Sequence, residues 1–284
     1  MKLSECITAA KAGRYSALEA LIKHNQDYLY NLVVRFLGNP LDAEDAVQEI
    51  LIKMITRLSS FRGESSFRTW LYRITVNHVL NMKRSKHEEV FTSFEDHKLF
   101  IENLPDNSLN GLLAYSEEKQ QRMAEETKIQ CQMGMLLCLE RENRIIFILG
   151  AVMGIDSLTG SAVMDITPET FRKRLSRSRK RLSNYMNGNC SLINTNGVCS
   201  CRKKTDILIQ KGYVNPENRM FYTTHLEKVM EHVKNYSQYA DDMLEKRVDD
   251  SFREHPWLSL PASIVPLKDI IQSMEVSWDK SKLL

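Results

Sequence analysis

Leu18, Leu21, Ile22, Leu29, Leu32, Val33, Phe36 and Leu37 recur at three- and four-residue intervals, the spacing of one face of an α-helix. Gly38-Asn39-Pro40 ends that run. A second stripe, Ala43, Ala46, Val47, Ile50, Leu51, Met54 and Leu58, predicts another amphipathic helix, with Asp42 as its cap and Asp45 near the positive end of its dipole. The opposite face of that helix shows Asp45, Gln48, Glu49, Ile52 and Lys53. After a loop at 61–66, a third helix is expected from about Phe67 to Arg84. Residues 87–122 lose periodicity and hold Pro105, Gly111 and several Asn and Ser, which reads as a flexible linker with a short helix near its end. Helical spacing returns from Glu125 to Met186, and Asn187-Gly188-Asn189 closes the block. The remainder opens on cysteines and continues with helical spacing at Leu226, Val229, Met230 and Val233. No strand-like alternation occurs. The expected fold is all-α, with domains at 1–86 and 123–187, a linker at 87–122 and an extension at 188–284.

Two polar constellations interrupt this apolar pattern. Arg172 to Arg181 holds seven basic side chains, directly after Thr167-Pro168-Glu169-Thr170-Phe171. Thr167 is placed to cap a helix and Pro168 to occupy its first position, where no N–H is needed. A helix so charged suits a polyanion, because each neutralised phosphate releases condensed counterions. Ahead of it lie an apolar helix, 144–154, a short helix, 157–164, and Asp165 in a turn. Two short helices with the second cationic form a helix-turn-helix, whose second helix enters a major groove. On that reading Glu169, Thr170, Arg172 and Lys173 face base edges. Arg174, Arg177, Arg179, Lys180 and Arg181 lie on phosphates, which position without specifying.

The third helix mixes Phe67, Trp70 and Tyr72 with Arg68 and Arg73, then Asn77, His78, Asn81, Lys83 and Arg84. Aromatic faces stack on unpaired bases and Asn can pair with a base edge, so this helix is a candidate for capturing single-stranded DNA. Phe67, Trp70, Leu71 and Ile74 also have core spacing, and both readings stand for Trp70.

Bulk properties narrow the class. The chain has 284 residues, 43% of them hydrophobic, and a formal net charge of +3, so the basic helix is a local device. No stretch reaches the ~20 apolar residues of a membrane span, and the N-terminus lacks a signal-peptide core; a cytoplasmic protein is expected. No Gly-rich phosphate loop, H-E-x-x-H or nucleophile elbow is present, and no enzymatic activity is expected. Asp241-Asp242 and Asp249-Asp250 read as solvated helix faces.

Asp42-Ala43-Glu44-Asp45-Ala46-Val47-Gln48-Glu49, then Phe67-Arg68-Thr69-Trp70-Leu71-Tyr72-Arg73-Ile74 with Asn77 and Asn81, and lastly Thr167 to Arg179 resemble regions 2.2, 2.3–2.4 and 4.2 of the sigma-70 family of bacterial transcription initiation factors, in its extracytoplasmic-function (ECF) group. The resemblance covers about residues 1–186. It implies that Asp45, Gln48, Glu49 and Lys53 bind the clamp helices of the β′ subunit of core RNA polymerase. It implies that Phe61, Arg62, Phe67, Trp70, Arg73, Asn77, Asn81 and Arg84 melt and hold the −10 element. It implies that Glu169, Thr170, Arg172, Lys173, Arg174, Arg177 and Lys180 engage the −35 element, with the β flap as a further polymerase contact and a separate anti-sigma factor as a candidate partner. Such a chain needs no cofactor. A helix-turn-helix regulator acting on duplex DNA without polymerase is the alternative, and it leaves residues 42–84 unexplained. The family's usual Glu-Ile-Ala in the first helix of the helix-turn-helix is Thr159-Gly160-Ser161 here, and its turn Gly is Asp165. Both departures predict an unusual −35 selectivity.

Cys190, Cys199 and Cys201 form a C-x8-C-x-C cluster. Zinc is a candidate ligand, with His225 as a fourth donor; reduced thiols packed in a loop-rich element are the alternative. Cys6, Cys131 and Cys138 read as core residues. The extension is a candidate attached regulator that docks on the two modules.

Overall fold

The longest apolar stripe becomes helix α2 (Tyr15–Leu37), which Gly38 ends in the left-handed conformation at φ 72°. The computed structural model describes residues 2–105, 112–217, 221 and 243–260. α2 lies between α1 (Leu3–Lys11) and α3 (Pro40–Thr56), and α4 (Phe67–Asn81) closes the first bundle against α2 and α3. α3 is capped by Asn39, whose side chain accepts from the Leu41 and Asp42 amides, rather than by Asp42. Pro40 explains the shift: it takes the first helical position and leaves Asp42 inside the first turn. Ser66 caps α4, accepting from the Thr69 amide.

The segment expected to lack periodicity carries two helices, α5 (Lys86–Val90) and α6 (Phe94–Glu102), capped by Ser85 and Ser93. They are too short to show a repeating stripe. Glu88 anchors the first of them: its buried carboxylate accepts from Arg141 at 2.6 Å and Arg144 at 2.8 Å. Arg144 also donates to the Phe36 carbonyl and Arg141 to the Met82 carbonyl. The end of the first bundle is thus fastened to the start of the second by a buried polar network.

The second bundle comprises α7 (Glu117–Leu137), α8 (Arg141–Phe147), α9 (Ser157–Met164) and α10 (Pro168–Asn189). The expected 144–154 helix starts earlier and changes to a π-helical turn at Ile148–Val152. Asp165 forms the turn before α10 at φ 53°, as Asp tolerates better than most residues. Thr167 caps α10, accepting from the Thr170 amide at 3.2 Å, and Pro168 is its first residue. α10 runs through Asn187-Gly188 and ends at Asn189, two residues into the expected extension.

The two bundles share one continuous core, from Leu21 and Phe36 through Phe147 and Phe171 to Phe252. α11 (Cys201–Gln210) packs on α7, and α12 (Met243–Arg253) on α10. The helical spacing noted at 226–233 lies outside the described residues.

Candidate nucleic-acid interface

On α3 the apolar stripe is buried, so Asp45, Gln48, Glu49, Ile52 and Lys53 project on the opposite side. Asp45 and Glu49 are exposed, Gln48 and Lys53 half-buried, and Ile52 is an exposed aliphatic side chain among them. Toward α4 this face meets His78. Glu49 lies 3.8 Å from the imidazole and 3.9 Å from Lys53, and Lys53 is hydrogen-bonded to the ring. Burial first, and then the adjacent Lys53 ammonium, hold His78 below its ordinary pKa. Glu49, Lys53, Arg57, His78, Asn77 and Asn81 line one groove, which joins the α3 face to the exposed end of α4. Arg57 was not among the predicted site residues, and His78 was named on the third helix without a role of its own. Arg57 follows Lys53 by one helical turn, a signal present in the sequence.

Along α4 the aromatic residues divide. Phe67 is buried and Trp70 half-buried; with Phe61 they form a cluster whose ring centroids lie 5.5 Å apart. Trp70 therefore serves the core and keeps an open edge. Tyr72 is buried, and Arg68 stacks 4.2 Å from the Tyr28 ring instead of standing free. Arg73 donates to the Ala162 carbonyl of α9 at 2.5 Å. The front of α4 is thereby covered by the first helix of the helix-turn-helix. Arg62, Asn77, Asn81 and Arg84 are exposed.

On α10, Glu169, Arg172, Lys173, Arg177 and Lys180 are exposed and Thr170 is half-buried beside its cap. Glu169 and Lys173 pair at 2.7 Å, and Arg174 pairs with Glu142 of α8. Phe171, Leu175 and Leu182 face inward, so the exposed set forms one cationic surface on a helix held by its apolar side. Arg179 departs from the phosphate role expected of it. It is buried, and its Nε donates to Asp249 at 2.7 Å. Asp249 is buried as well, so it is no solvated face; Asp241-Asp242 lie outside the described residues. Gly160 has a packing reason: a Cβ there would stand 2.4 Å from the Phe171 ring.

Cys190 and Cys199 stand side by side in a short backbone bridge, with the Ser191 amide donating to the Cys199 carbonyl at 3.0 Å. Cys201 opens α11. Burial first, and then the neighbouring Cys190 and Cys199, push the Cys201 thiol up to about 12, and burial raises Cys190 as well. Among the described residues no three His, Cys, Asp or Glu side chains are grouped to hold a metal ion, and His225 lies outside them. Cys6 and Cys138 are buried and Cys131 partly so, its thiol 3.8 Å from His97. Also among the described residues, no helix is long and apolar enough to cross a membrane.

Residues 21–89 match the family profile described as sigma-70 region 2. Over 178 residues the chain is 30% identical to the ECF RNA polymerase sigma-E factor of Escherichia coli K12, spanning 63% of this chain and 91% of that protein. It is 36% identical over 77 residues to the RNA polymerase sigma-H factor of Pseudomonas aeruginosa PAO1, spanning 27% of this chain and 40% of that one. Among solved structures, CnrH in complex with the cytosolic domain of CnrY aligns with a TM-score of 0.45 at 18% identity, over 64% of this chain and 95% of that one. An all-helical chain with a capped basic helix after a helix-turn-helix and the region 2 pattern ahead of it, similar over nearly the whole length of a sigma-E factor, belongs to the ECF group of the sigma-70 family: non-enzymatic RNA polymerase sigma factors that direct promoter-specific transcription initiation.

Proposed function

We propose that α3 docks on the β′ clamp helices of core polymerase through Asp45, Gln48, Glu49 and Lys53, with Ile52 as the apolar centre of the patch. The observation that carries this reading is the groove shared by α3 and α4. It makes the polymerase face continuous with Asn77 and Asn81, so that strand capture takes place beside the docked surface. Phe61, Arg62, Trp70, Arg73 and Arg84 complete the −10 surface, Trp70 by its open edge; Phe67, expected there, is buried and instead backs the Phe61 and Trp70 rings. On α10, Glu169, Thr170, Arg172 and Lys173 read the −35 element, while Arg174, Arg177 and Lys180 hold phosphates and the same module meets the β flap. The chain acts in the cytoplasm, where core polymerase and promoter DNA are found. A separate anti-sigma factor is a further candidate partner, and it would compete for the same surfaces.

Titration of core polymerase with the Glu49→Lys variant tests the reading. Reversing one charge at the centre of the patch is expected to weaken association at least tenfold, with helix content unchanged, since like-charge juxtaposition at an interface costs several kcal/mol. Unchanged affinity would refute the α3 assignment.

A further inference from the structure

Promoter geometry sets a distance that the observed arrangement does not span. The −10 and −35 elements are named for positions separated by about 25 base pairs, or about 85 Å at the 3.4 Å rise of duplex DNA. Here α9 lies against α4, with Arg73 bonded to Ala162, and α10 starts just after α9. α10 has 22 residues, so it is about 33 Å long. Even its far end lies well short of the required separation from the −10 surface on α4. The two modules must part before one chain grips both elements.

Beside the core and the Glu88–Arg141–Arg144 network that join the bundles directly, a single stretch of the extension reaches both of them. α12 presents Asp249 to Arg179 of α10, both side chains almost wholly buried. Phe252 meets Phe147 edge-on, with ring centroids 5.4 Å apart. Gln132 of α7 donates to Ser251 at 2.9 Å and is hydrogen-bonded to His255. The chain then crosses to the first bundle. Arg35 donates to the Pro256 carbonyl at 3.0 Å. The buried Asn31 amide pairs with both main-chain groups of Leu258, donating to its carbonyl at 2.6 Å and accepting from its amide at 2.9 Å. Leu260 donates to Asp27 at 3.0 Å, and Trp257 packs edge-on against Tyr28 at 4.8 Å. Such a double bond to one residue fixes register, as apolar packing alone does not.

We propose that residues 243–260 are a clasp in cis, which holds the two promoter-binding modules in a closed state that cannot initiate and whose release permits the chain to span a promoter. The inhibitory part rests on the assignment of α4 and α10 above; the closure does not. A ligand or partner that takes up Trp257 and Leu258, or displaces them from α2, acts as the inducer by shifting the population to the open state.

The test uses the full chain and its Trp257→Ala/Leu258→Ala variant, with circular dichroism to confirm equal helix content. Small-angle scattering without polymerase reads closure. Titration with core polymerase, and transcription from genomic DNA with start sites mapped, read inhibition. The variant is expected to have a larger radius of gyration and to gain on the order of tenfold in core association and transcript yield, because both modules then engage together. A synthetic peptide of residues 243–260, added in trans, is expected to reverse both changes, which a merely damaged fold would not allow. Unchanged scattering overturns the clasp. Expansion with no gain in transcription overturns its inhibitory role, and so does a gain that the peptide does not reverse. Failure of the α3 assignment shows instead as a Glu49→Lys chain that binds core normally, and it leaves the scattering result as it is.

Discussion

Replacing Gly160 with Ala sets two opposing effects against each other. Alanine favours a helix interior over glycine by about 1 kcal/mol. The added Cβ, however, would stand 2.4 and 2.5 Å from the Cζ and Cε2 atoms of Phe171, where carbon atoms in contact need about 3.5 Å. The ring has little room to yield. Phe171 is fully buried, and its other edge faces Gly150, where a Cβ would lie 3.3 Å from Phe171 Cε1 and 2.6 Å from Leu175. Overpacking of this kind costs about 1–3 kcal/mol, so the net effect is a destabilisation of about 1 kcal/mol. For a chain of this size that lowers the melting temperature by roughly 2–4 °C. The cycle with Phe171→Leu isolates the contact, since the smaller side chain is expected to remove most of the penalty. A Gly160→Ala chain more stable than its parent would refute the argument, because it would mean that α10 repositions freely over α9. The same contact sets how closely α10 approaches α9, and on the proposed −35 assignment it would bear on promoter choice through Arg172 and Lys173.

Glu88→Ala strands the Arg141 and Arg144 guanidiniums in the interior and is expected to cost about 3–5 kcal/mol in urea denaturation, with Glu88→Gln between the two. Burial alone would raise the Glu88 pKa, but hydrogen bonds from Arg141 and Arg144 outweigh it and hold it below the usual range. Its contribution is therefore intact above about pH 4.3 and is lost only as pH falls through the lower folded value. Asp249 behaves in the opposite sense: burial, offset in part by Arg179 and Arg253 and reinforced by Glu245, pushes it up to about 6. The closed state then binds more protons than an open one with an ordinary Asp, so closure weakens as pH rises from about 4 to 6. His255, in the same segment, is held well below its ordinary value by burial and then by Arg35 and Lys128, and it opposes closure as pH falls, so Asp249→Asn and His255→Gln are expected to shift the pH dependence of scattering between pH 7 and pH 5 in opposite directions. Metal analysis of the purified chain is expected to find less than one zinc per molecule, because no three donor side chains are grouped among the described residues; a full equivalent lost in Cys199→Ser would establish the metal site.

The apolar periodicity of α2 and α3 was legible because each has several turns with one buried face, and the start of α10 because the Thr167 cap acts through a bond only three residues long. Asn39 was missed for a local reason, since Pro40 moved the helix start back. The helices α5 and α6 were missed because five and nine residues give a stripe too short to detect. Polar residues were hardest to assign. Arg179 and Arg177 sit two positions apart in the same basic run, yet one is buried on Asp249 and the other faces solvent. Only a partner 70 residues away distinguishes them, and no short-range pattern encodes it. Asn31, Arg35 and the 256–260 segment belong to the same class, joined across more than 220 residues.

These long-range polar contacts also bear on whether closure is a permanent fold or a switch. Interfaces built only of aliphatic side chains expose apolar surface when they open, at about 25 cal/mol per Å², and stay shut. Buried ion pairs act differently. Removing one partner is costly, but when both are released together each regains its water, and the net difference is small. Asp249 and Arg179 separate in this way when the clasp leaves α10, and so do Asn31 and the Leu258 main chain. The clasp's own apolar contribution rests on few residues, chiefly Phe252, Trp257 and Leu258, beside the core that the bundles share directly. The clasp is thus specific in register and modest in depth, and a binding event of ordinary affinity is enough to displace it. Arg73 adds a direct competition on the proposed assignment: its guanidinium holds the Ala162 carbonyl in the closed state and would serve the −10 element in the open one. Arg73→Ala is accordingly expected to loosen closure and weaken strand capture together, whereas a change in the clasp alone improves initiation.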